Sequence, residues 1–499
     1  MTLALIEPNA TALLLLVLAA LLFASVLFTR PLNRFGIPVV LLFLILGMLG
    51  GSEGIGGIAF DDFALAFRLG TIALILILFD GGLNTSVQSI RASAGPAGVL
   101  ATVGVAGTAL VLSFIGRWIG LPWSEAVLIG VIVSSTDAAA VLAVLRGSNL
   151  RLKPRVRSVL EVESCMNDPM AVILTISVIE ILQHASYSVW GILLSVIVQL
   201  VIGAVMGALV GYASRAILTR MVPTTGALFA VATIAAGFLS FGLTTVAAGS
   251  GFLAVFVTGV VLGNEQLPFR IGLARVHDAL AWLSQIGMFL MLGLLVFPSR
   301  LLPVAGAGLS LGLALAFIAR PLIVYLCLLP FRTPFHRSLF IGWVGLRGAV
   351  PIVLATIPAI AGLPVADRVF HITFFIVVVS TLVPGASITW LARRLGLEVP
   401  ERPSPAAVLE INSLRQLDGE IRAYTIDPSL AVCDASLADI EFPEGSAAVL
   451  LIRGTELIAA RGSTILRPGD HLYIFSKPAH RPLIELLFGG PENEDIQNP

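Results

Sequence analysis

The sequence predicts an all-α polytopic membrane protein of about thirteen transmembrane helices, two of them broken and crossing, with a small α/β domain at its C-terminal end. Composition is the first reason. Of 499 residues, 57% are hydrophobic and 12% charged, against about 25% charged in soluble domains, and the mean hydropathy is +0.98. The second is that apolar segments of bilayer-crossing length, about 17–25 residues, recur up to Leu397 and then stop. The third is a set of ionisable residues inside those segments: Asp137, Glu163, Asp168 and Arg347. Each costs roughly 2.5–3.5 kcal/mol at membrane depth, so it faces a partner or a watery cavity and marks a pathway.

The apolar stretches fall near 10–29, 36–51, 63–83, 92–116, 124–145, 156–182, 189–218, 223–242, 245–263, 276–297, 302–329, 338–360 and 369–392. The chain starts MTLALIEPNATALLLL, with no basic n-region, so the first stretch reads as a retained helix and not as a signal peptide. Arg30, Arg34, Arg146, Arg151, Lys153, Arg155, Arg157, Arg215, Arg220, Arg270, Arg275, Arg332, Arg337, Arg393 and Arg394 all follow odd-numbered spans. The opposite loops hold Arg68, Arg117, Arg300 and Arg368 beside Glu53, Asp61 and Asp62. Lys and Arg collect on the cytoplasmic side. The expected arrangement is therefore an inner (plasma) membrane protein with its N-terminus outside and its C-terminal region cytoplasmic. The fifth and twelfth spans are seven apart and run in opposite directions, as in two inverted six-helix repeats joined by the seventh.

Composition changes near Leu397, giving a membrane domain over 1–397. Three prolines between Pro400 and Pro405 mark a linker, taken as 398–410. Glu420–Ile426, Ala447–Arg453, Glu456–Arg461 and His471–Ser476 read as short strands, with Ala435–Ile440 and His480–Leu487 as short helices. They place a small domain at 411–490. The acidic tail 491–499 reads as disordered. Net charge is zero, so no basic field invites nucleic acid. Cys165, Cys327 and Cys433 have no paired spacing, so neither disulfides nor a zinc site is indicated. No phosphate-binding loop and no cofactor motif is present.

The chemistry sits in two neighbouring helices. Ser134, Ser135, Thr136 and Asp137 stand together in the fifth span, where hydroxyls can bond or replace backbone carbonyls. Locally unwound helices near the midplane present such groups to cations. In the sixth span Glu163, Ser164, Asn167 and Asp168 precede Pro169. Ser164 shares a helix face with Asp168, and Glu163 with Asn167. A proline inside a helix frees a carbonyl one turn earlier. Hard cations want such oxygen ligands, and low dielectric raises a carboxylate's proton affinity, so cation and proton can compete for one group. A polar helix contact or a structural ion network is the plainer reading of each cluster. Arg347 lies among Gly345, Gly348 and Pro351 in the twelfth span, which therefore also reads as broken. Its guanidinium needs a buried acid; Glu163 is the expected partner, leaving Asp168 for the ion. Arg320 is ambiguous. Asp80 ends the third span and is either a funnel residue, part of the site or an interface residue. Glu180, His184 and His277 are expected to be solvated.

In order and spacing, FDGGLN (79–84), STDAAAV (135–141), LEVESCMNDPMAV (160–172) and GLRGAVPIVLA (345–355) resemble the monovalent cation/proton antiporters of the NhaP type (CPA1 group). The stretch 447–475, with its LRPGD turn, resembles a TrkA-C (RCK-C) domain. Together they look most like the potassium/proton branch. The resemblance implies a homodimer in which a core of broken helices moves against a dimerisation domain. It implies Asp168 as main ion and proton carrier, Thr136 and Ser164 as further cation ligands, and Asp137 at the helix crossing, steadied by Asn167. It also implies a Glu163–Arg347 ion pair, and electroneutral exchange from the Asn167-Asp168 pair. A TrkA-C domain implies regulation, with a small ligand as a candidate partner.

The leading expectation is thus a transporter, not an enzyme. It exchanges K+, and possibly Na+, for H+ by alternating access. The same fold with Na+ as main substrate is the first alternative. A channel is disfavoured because no repeated filter segment is seen. An intramembrane aspartyl protease built on Asp137 and Asp168 is real chemistry, but leaves Arg347 and the broken-helix symmetry unexplained.

Overall fold

The computed structural model describes residues 12, 15–16, 19–27, 39–147, 150–183, 189–220, 226–264, 270–399 and 419–491. The expected first span lies largely outside them, as do most of the expected linker and tail. Among the described residues, seven helices are long and apolar enough to cross a bilayer, and Val39–Gly50, Trp123–Ile132, Gly251–Gly263 and Ala349–Ile360 are shorter apolar pieces. The total of thirteen spans counts these pieces and is not fixed by the described helices alone.

Backbone-to-backbone approach at glycine knits one group of helices. A Cβ on Gly47 would lie 2.2 Å from the carbonyl oxygen of Leu290, and one on Gly293 would lie 2.4 Å from that of Leu44. These contacts lock Val39–Gly50 to Arg270–Leu294. Gly82 and Gly259 do the same for Phe63–Leu83 and Gly251–Gly263, where a Cβ would fall 2.5 Å from Phe256 O and 2.6 Å from Phe79 O. His277 hydrogen-bonds Thr233 at 2.9 Å and packs 5.0 Å from the Phe79 ring, adding Gly226–Val246 to the group. His277 is buried, which corrects the expectation that it is solvated. Facing inward, it finds a hydroxyl partner instead of water.

A second group contains Val87–Trp118, Pro154–Gln183, Pro298–Leu328, Ala366–Arg394 and the two broken helices. Val87–Trp118 carries a π-helical turn at Leu100–Gly104 after Pro96, and Pro298–Leu328 carries one at Leu315–Ala319 before Pro321. Proline cannot donate to the ladder, and a widened turn absorbs the mismatch. The paired placement of these turns fits the inverted repeat. In the loop after Val39–Gly50, Glu53 accepts hydrogen bonds from Ser299 N (2.8 Å) and Oγ (2.5 Å). Those bonds hold its carboxyl below the usual range.

The chain divides into two compact units, one of Met1–Glu265 with Ala274–Val399 and one of Pro400–Pro499 with Gln266–Leu273. The membrane unit therefore runs two residues past the expected limit at 397. Ala366–Arg394 ends in a Schellman motif: Gly396 adopts φ +61°, its N–H reaches Arg393 O at 3.1 Å, and Leu397 N–H reaches Ala392 O at 3.0 Å. The chain then forms strand β2 (Glu398–Val399), antiparallel to β1 (Arg151–Leu152) between the two ion-site helices. Leu397 buries its side chain beside Leu145, Leu152 and Leu346. These two residues read as linker because a two-residue strand carries no periodicity.

The second unit holds a four-stranded antiparallel sheet in the order β3-β6-β4-β5, with β3 Glu420–Thr425, β4 Ala447–Arg453, β5 Glu456–Ala459 and β6 His471–Ser476. Helix Arg481–Phe488 packs Ile484 and Phe488 against Tyr424, Leu451, Leu472 and Ile474. The LRPGD segment is a tight turn: Gly469 takes φ +83°, and buried Asp470 accepts from Arg453 Nε (2.8 Å), Arg453 Nη2 (2.7 Å) and Arg467 N (2.7 Å).

The glycine contacts make a direct prediction. Gly47→Ala drives a Cβ into backbone that cannot yield, and overpacking of this kind costs about 1–3 kcal/mol. Gly98→Ala, where a Cβ meets nothing within 4 Å, should leave the melting temperature of the detergent-purified protein unchanged or raised while Gly47→Ala lowers it.

Candidate ion-binding site

Helix Trp123–Ile132 stops and Ala138–Gly147 resumes, leaving 133–137 unwound inside a membrane crossing. Phe335–Trp343 and Ala349–Leu354 leave the matching gap at 344–348. The local sequence explains both breaks. Ser, Thr and Asp compete for backbone groups and prefer caps, while Gly345, Gly348 and Pro351 are poor helix formers. Pro351 has no N–H for the carbonyl of Arg347, which accepts from Thr381 Oγ1 at 3.2 Å instead.

The two gaps cross and satisfy each other. Asp137 N–H donates to Leu346 O at 2.8 Å. The Asp137 carboxylate accepts from Ala140 N at 3.0 Å, capping the resumed helix. A Cβ on Gly348 would sit 2.1 Å from Asp137 Oδ2, so only glycine lets the second gap pass over Asp137. From the sixth span, Ser164 Oγ donates to Thr136 O at 2.8 Å, and buried Asn167 donates its amide to Thr136 Oγ1.

The expected Glu163–Arg347 pair is not what the structure holds. Glu163 is paired with Arg320, both side chains being 2% exposed or less. Arg347 turns the other way and donates to Ser134 O at 3.0 Å and to Ser135 O. The reason is the break itself. An unwound segment in lipid leaves backbone carbonyls without ladder partners. Those of Ser134 and Ser135 lie just past the C-terminal end of Trp123–Ile132, where a cation is favoured. Arg347 answers this demand, and Arg320 is left for Glu163. Gly345 makes room for the pair: a Cβ there would be 3.0 Å from Arg320 Nε.

At the crossing lies a cavity of about 40 Å³. Ser135, Thr136, Asp137, Asp168 and Gly348–Pro351 form one wall, and Leu74, Ile77, Leu78, Gln285, Met288 and Phe289 the other. A buried water needs about 10–15 Å³ on this measure, so the space suits a largely dehydrated ion with a water or two. Of the expected site residues, Thr136, Asp137 and Asp168 line it. Ser164 and Asn167 stand behind Thr136, Glu163 belongs to the Arg320 pair, and Asp80 is outside the lining, bonded by Asn84 Nδ2 at 3.0 Å. Two further residues line the cavity: Ser135, which the sequence places among the hydroxyls of the fifth span, and Gln285, which it does not single out. Ser135 is buried, with its hydroxyl beside the Asp168 carboxyl. The signal for Gln285 is an amide ahead of the apolar run Ile286–Leu294.

Broken crossing helices around an acid-lined cavity define a secondary transporter of the cation/proton exchanger class. The chain belongs to the sodium/hydrogen exchanger family: the transmembrane model of that family matches residues 17–394, and a TrkA-C domain matches residues 421–489. Among curated relatives, the K(+)/H(+) antiporter NhaP of Alkalimonas amylolytica is 41% identical over 484 residues, covering 96% of this chain and 84% of that one. The K(+)/H(+) antiporter NhaP2 of Shewanella oneidensis is 39% identical over 483 residues, with the same coverage. The sodium proton antiporter MjNhaP1 of Methanocaldococcus jannaschii has the same fold, with a TM-score of 0.66 at 24% identity over 77% of this chain and 99% of that one.

Arg320→Ala strands Glu163, and a buried charge left alone costs about 3–5 kcal/mol. The double variant Glu163→Leu/Arg320→Met should recover most of that loss in a thermal melt. Arg347→Ala leaves the Glu163 pair intact, so Glu163→Leu should not rescue it.

Proposed function

We propose that this transporter exchanges K+ for H+, one for one, with cation and proton competing for Asp168. The observation that carries the reading is the local charge count. Glu163 and Arg320 cancel. Arg347, beside two backbone carbonyls, offsets one of the carboxylates Asp137 and Asp168 that line the cavity. One negative charge remains, and either one cation or one proton neutralises it. Asn167, standing where a further acid would add a second charge, keeps the exchange electroneutral. Asp168 faces the cavity without the capping duty of Asp137, which favours it as the exchanging group. Thr136 supplies a ligand, with Ser135 beside it. Ser164 shapes the Thr136 carbonyl and joins the ligand set if that bond opens.

K+ is favoured by the relatives at 41% and 39% identity, whose names carry K(+)/H(+) exchange. Na+ is the second reading, favoured by the Na(+)/H(+) antiporter NhaS2 of Synechocystis at 27% identity. The positive-inside pattern supports an inner-membrane protein with its C-terminal domain in the cytoplasm. The exchanger resemblance supports a homodimer in which the group of helices bearing the crossing moves against the glycine-knit group. The TrkA-C domain fits a regulatory role with a small ligand.

In reconstituted vesicles holding a proton gradient, adding K+ should dequench a pH-sensitive dye, with the same initial rate when the membrane potential is clamped. Asp168→Ala should abolish the response with the melting curve preserved; retained exchange would overturn the assignment. A K+ response that collapses under the clamp would overturn electroneutrality. A response to Na+ alone would move the substrate to the second reading. Truncation after Val399 should leave transport measurable with a displaced pH profile; an unchanged profile would remove the regulatory role.

A further inference from the structure

We infer that Gln285 is a cation ligand that sets the preference between K+ and Na+. The inference rests on the antiport reading above and adds a residue from the opposite wall of the cavity. Leu74, Ile77, Leu78, Met288 and Phe289 offer that wall no hydrogen-bonding group, and Gln285 is the polar side chain among them. It lies in the interior of Arg270–Leu294, a helix of membrane-crossing length. No described residue hydrogen-bonds its half-buried amide. An amide without a protein partner beside an apolar wall is better placed bonded than bare. An ion or ordered water in the cavity it lines supplies that bond.

The chemistry of the two walls is complementary. The crossing helices bring carboxylates and hydroxyls: Asp137, Asp168, Thr136 and Ser135. Gln285 brings a neutral carbonyl oxygen. A neutral ligand leaves the charge count unchanged, so it does not alter the stoichiometry. It does alter the number and field strength of the oxygens around the ion, on which discrimination between K+ and Na+ turns. The more weakly hydrated K+ gains relatively more from an added carbonyl, whereas a carboxylate alone favours the smaller ion.

The position also gives the ligand a state dependence. Arg270–Leu294 is locked to Val39–Gly50 through Gly47 and Gly293, in the group that does not carry Asp168. Movement of one group against the other separates Gln285 from Asp168. The amide therefore ligates the ion in one arrangement of the transporter, and its loss raises KM for the side on which that arrangement opens.

The experiment measures initial exchange rates of the full chain in proteoliposomes against K+ and Na+ concentration, for wild type, Gln285→Leu, Gln285→Met and Gln285→Asn. Gln285→Leu and the near-isosteric Gln285→Met should raise KM for K+ about tenfold and for Na+ roughly threefold or less, with kcat within about twofold. Gln285→Asn should restore part of the K+ preference. A second readout is the rise in melting temperature of the purified protein on adding KCl, choline chloride serving as control. It should shrink in Gln285→Met and return in Gln285→Asn. Unchanged KM values and an unchanged K+ shift in a folded Gln285→Met overturn the inference and leave the antiport reading standing. Equal losses for both ions, or a fall in kcat alone, assign Gln285 to packing and also overturn it. A folded wild type that moves protons for no cation overturns both.

Discussion

The membrane unit depends on closing a hydrogen-bond account that two broken helices open inside lipid. A helix that stops at the midplane exposes carbonyls at one end and N–H groups at the other, and the bilayer offers no water for them. Here the account closes reciprocally. Asp137 N–H bonds Leu346 O, Arg347 bonds Ser134 O and Ser135 O, and Ser164 bonds Thr136 O. Each gap is therefore held open by groups from the other gap or from the sixth span. The cavity lies against that arrangement: Thr136 and Asp137, which serve the break, line it, and Asp168 joins them from the continuous helix Pro154–Gln183.

The same constraint separates two kinds of buried charge. Glu163 and Arg320 face one another with no backbone duty, and a pair of this kind can be replaced by apolar side chains of similar volume with little loss. Arg347 has a backbone duty and no such substitute, because it bonds two carbonyls of the unwound segment just past a helix end. Charge alone pairs Glu163 with Arg347; the unbonded carbonyls of Ser134 and Ser135 are what draw Arg347 away. Once the break at 133–137 is recognised, the demand for a donor beside Ser134 and Ser135 follows, and Arg320 becomes the remaining partner for Glu163.

What could be read in advance was whatever leaves a mark in polarity or period. The acids in apolar segments, the breaks at glycine and proline, and the strands from Glu420 to Ser476 all have such a mark. A two-residue strand at Glu398–Val399 has none, because pairing with Arg151–Leu152 is set by where the last helix ends. The burial of His277 turned on which face of its helix meets Thr233, and a lone polar residue near a span end does not say. Ser135 and Gln285 were polar residues in plain view. Their relation to Asp168 depends on how two groups of helices are apposed, which no local pattern encodes.

The two groups differ in what holds them, and that difference bears on how exchange can work. Within the group containing Arg270–Leu294, glycines bring backbones so close that a single added carbon would strike a carbonyl at Gly47, Gly82, Gly259 and Gly293. Such packing has no slack. Around the crossing, directional hydrogen bonds fix the helices. Across the cavity, Leu74, Ile77, Leu78, Met288 and Phe289 meet the other wall through contacts worth about 0.1–0.2 kcal/mol per atom pair and without angular preference. Surfaces of that kind lose little when displaced by a few ångströms, since new apolar contacts replace the old. The proposed exchange calls for a rigid site with a yielding boundary beside it, and the apolar wall is the side with fewer directional bonds.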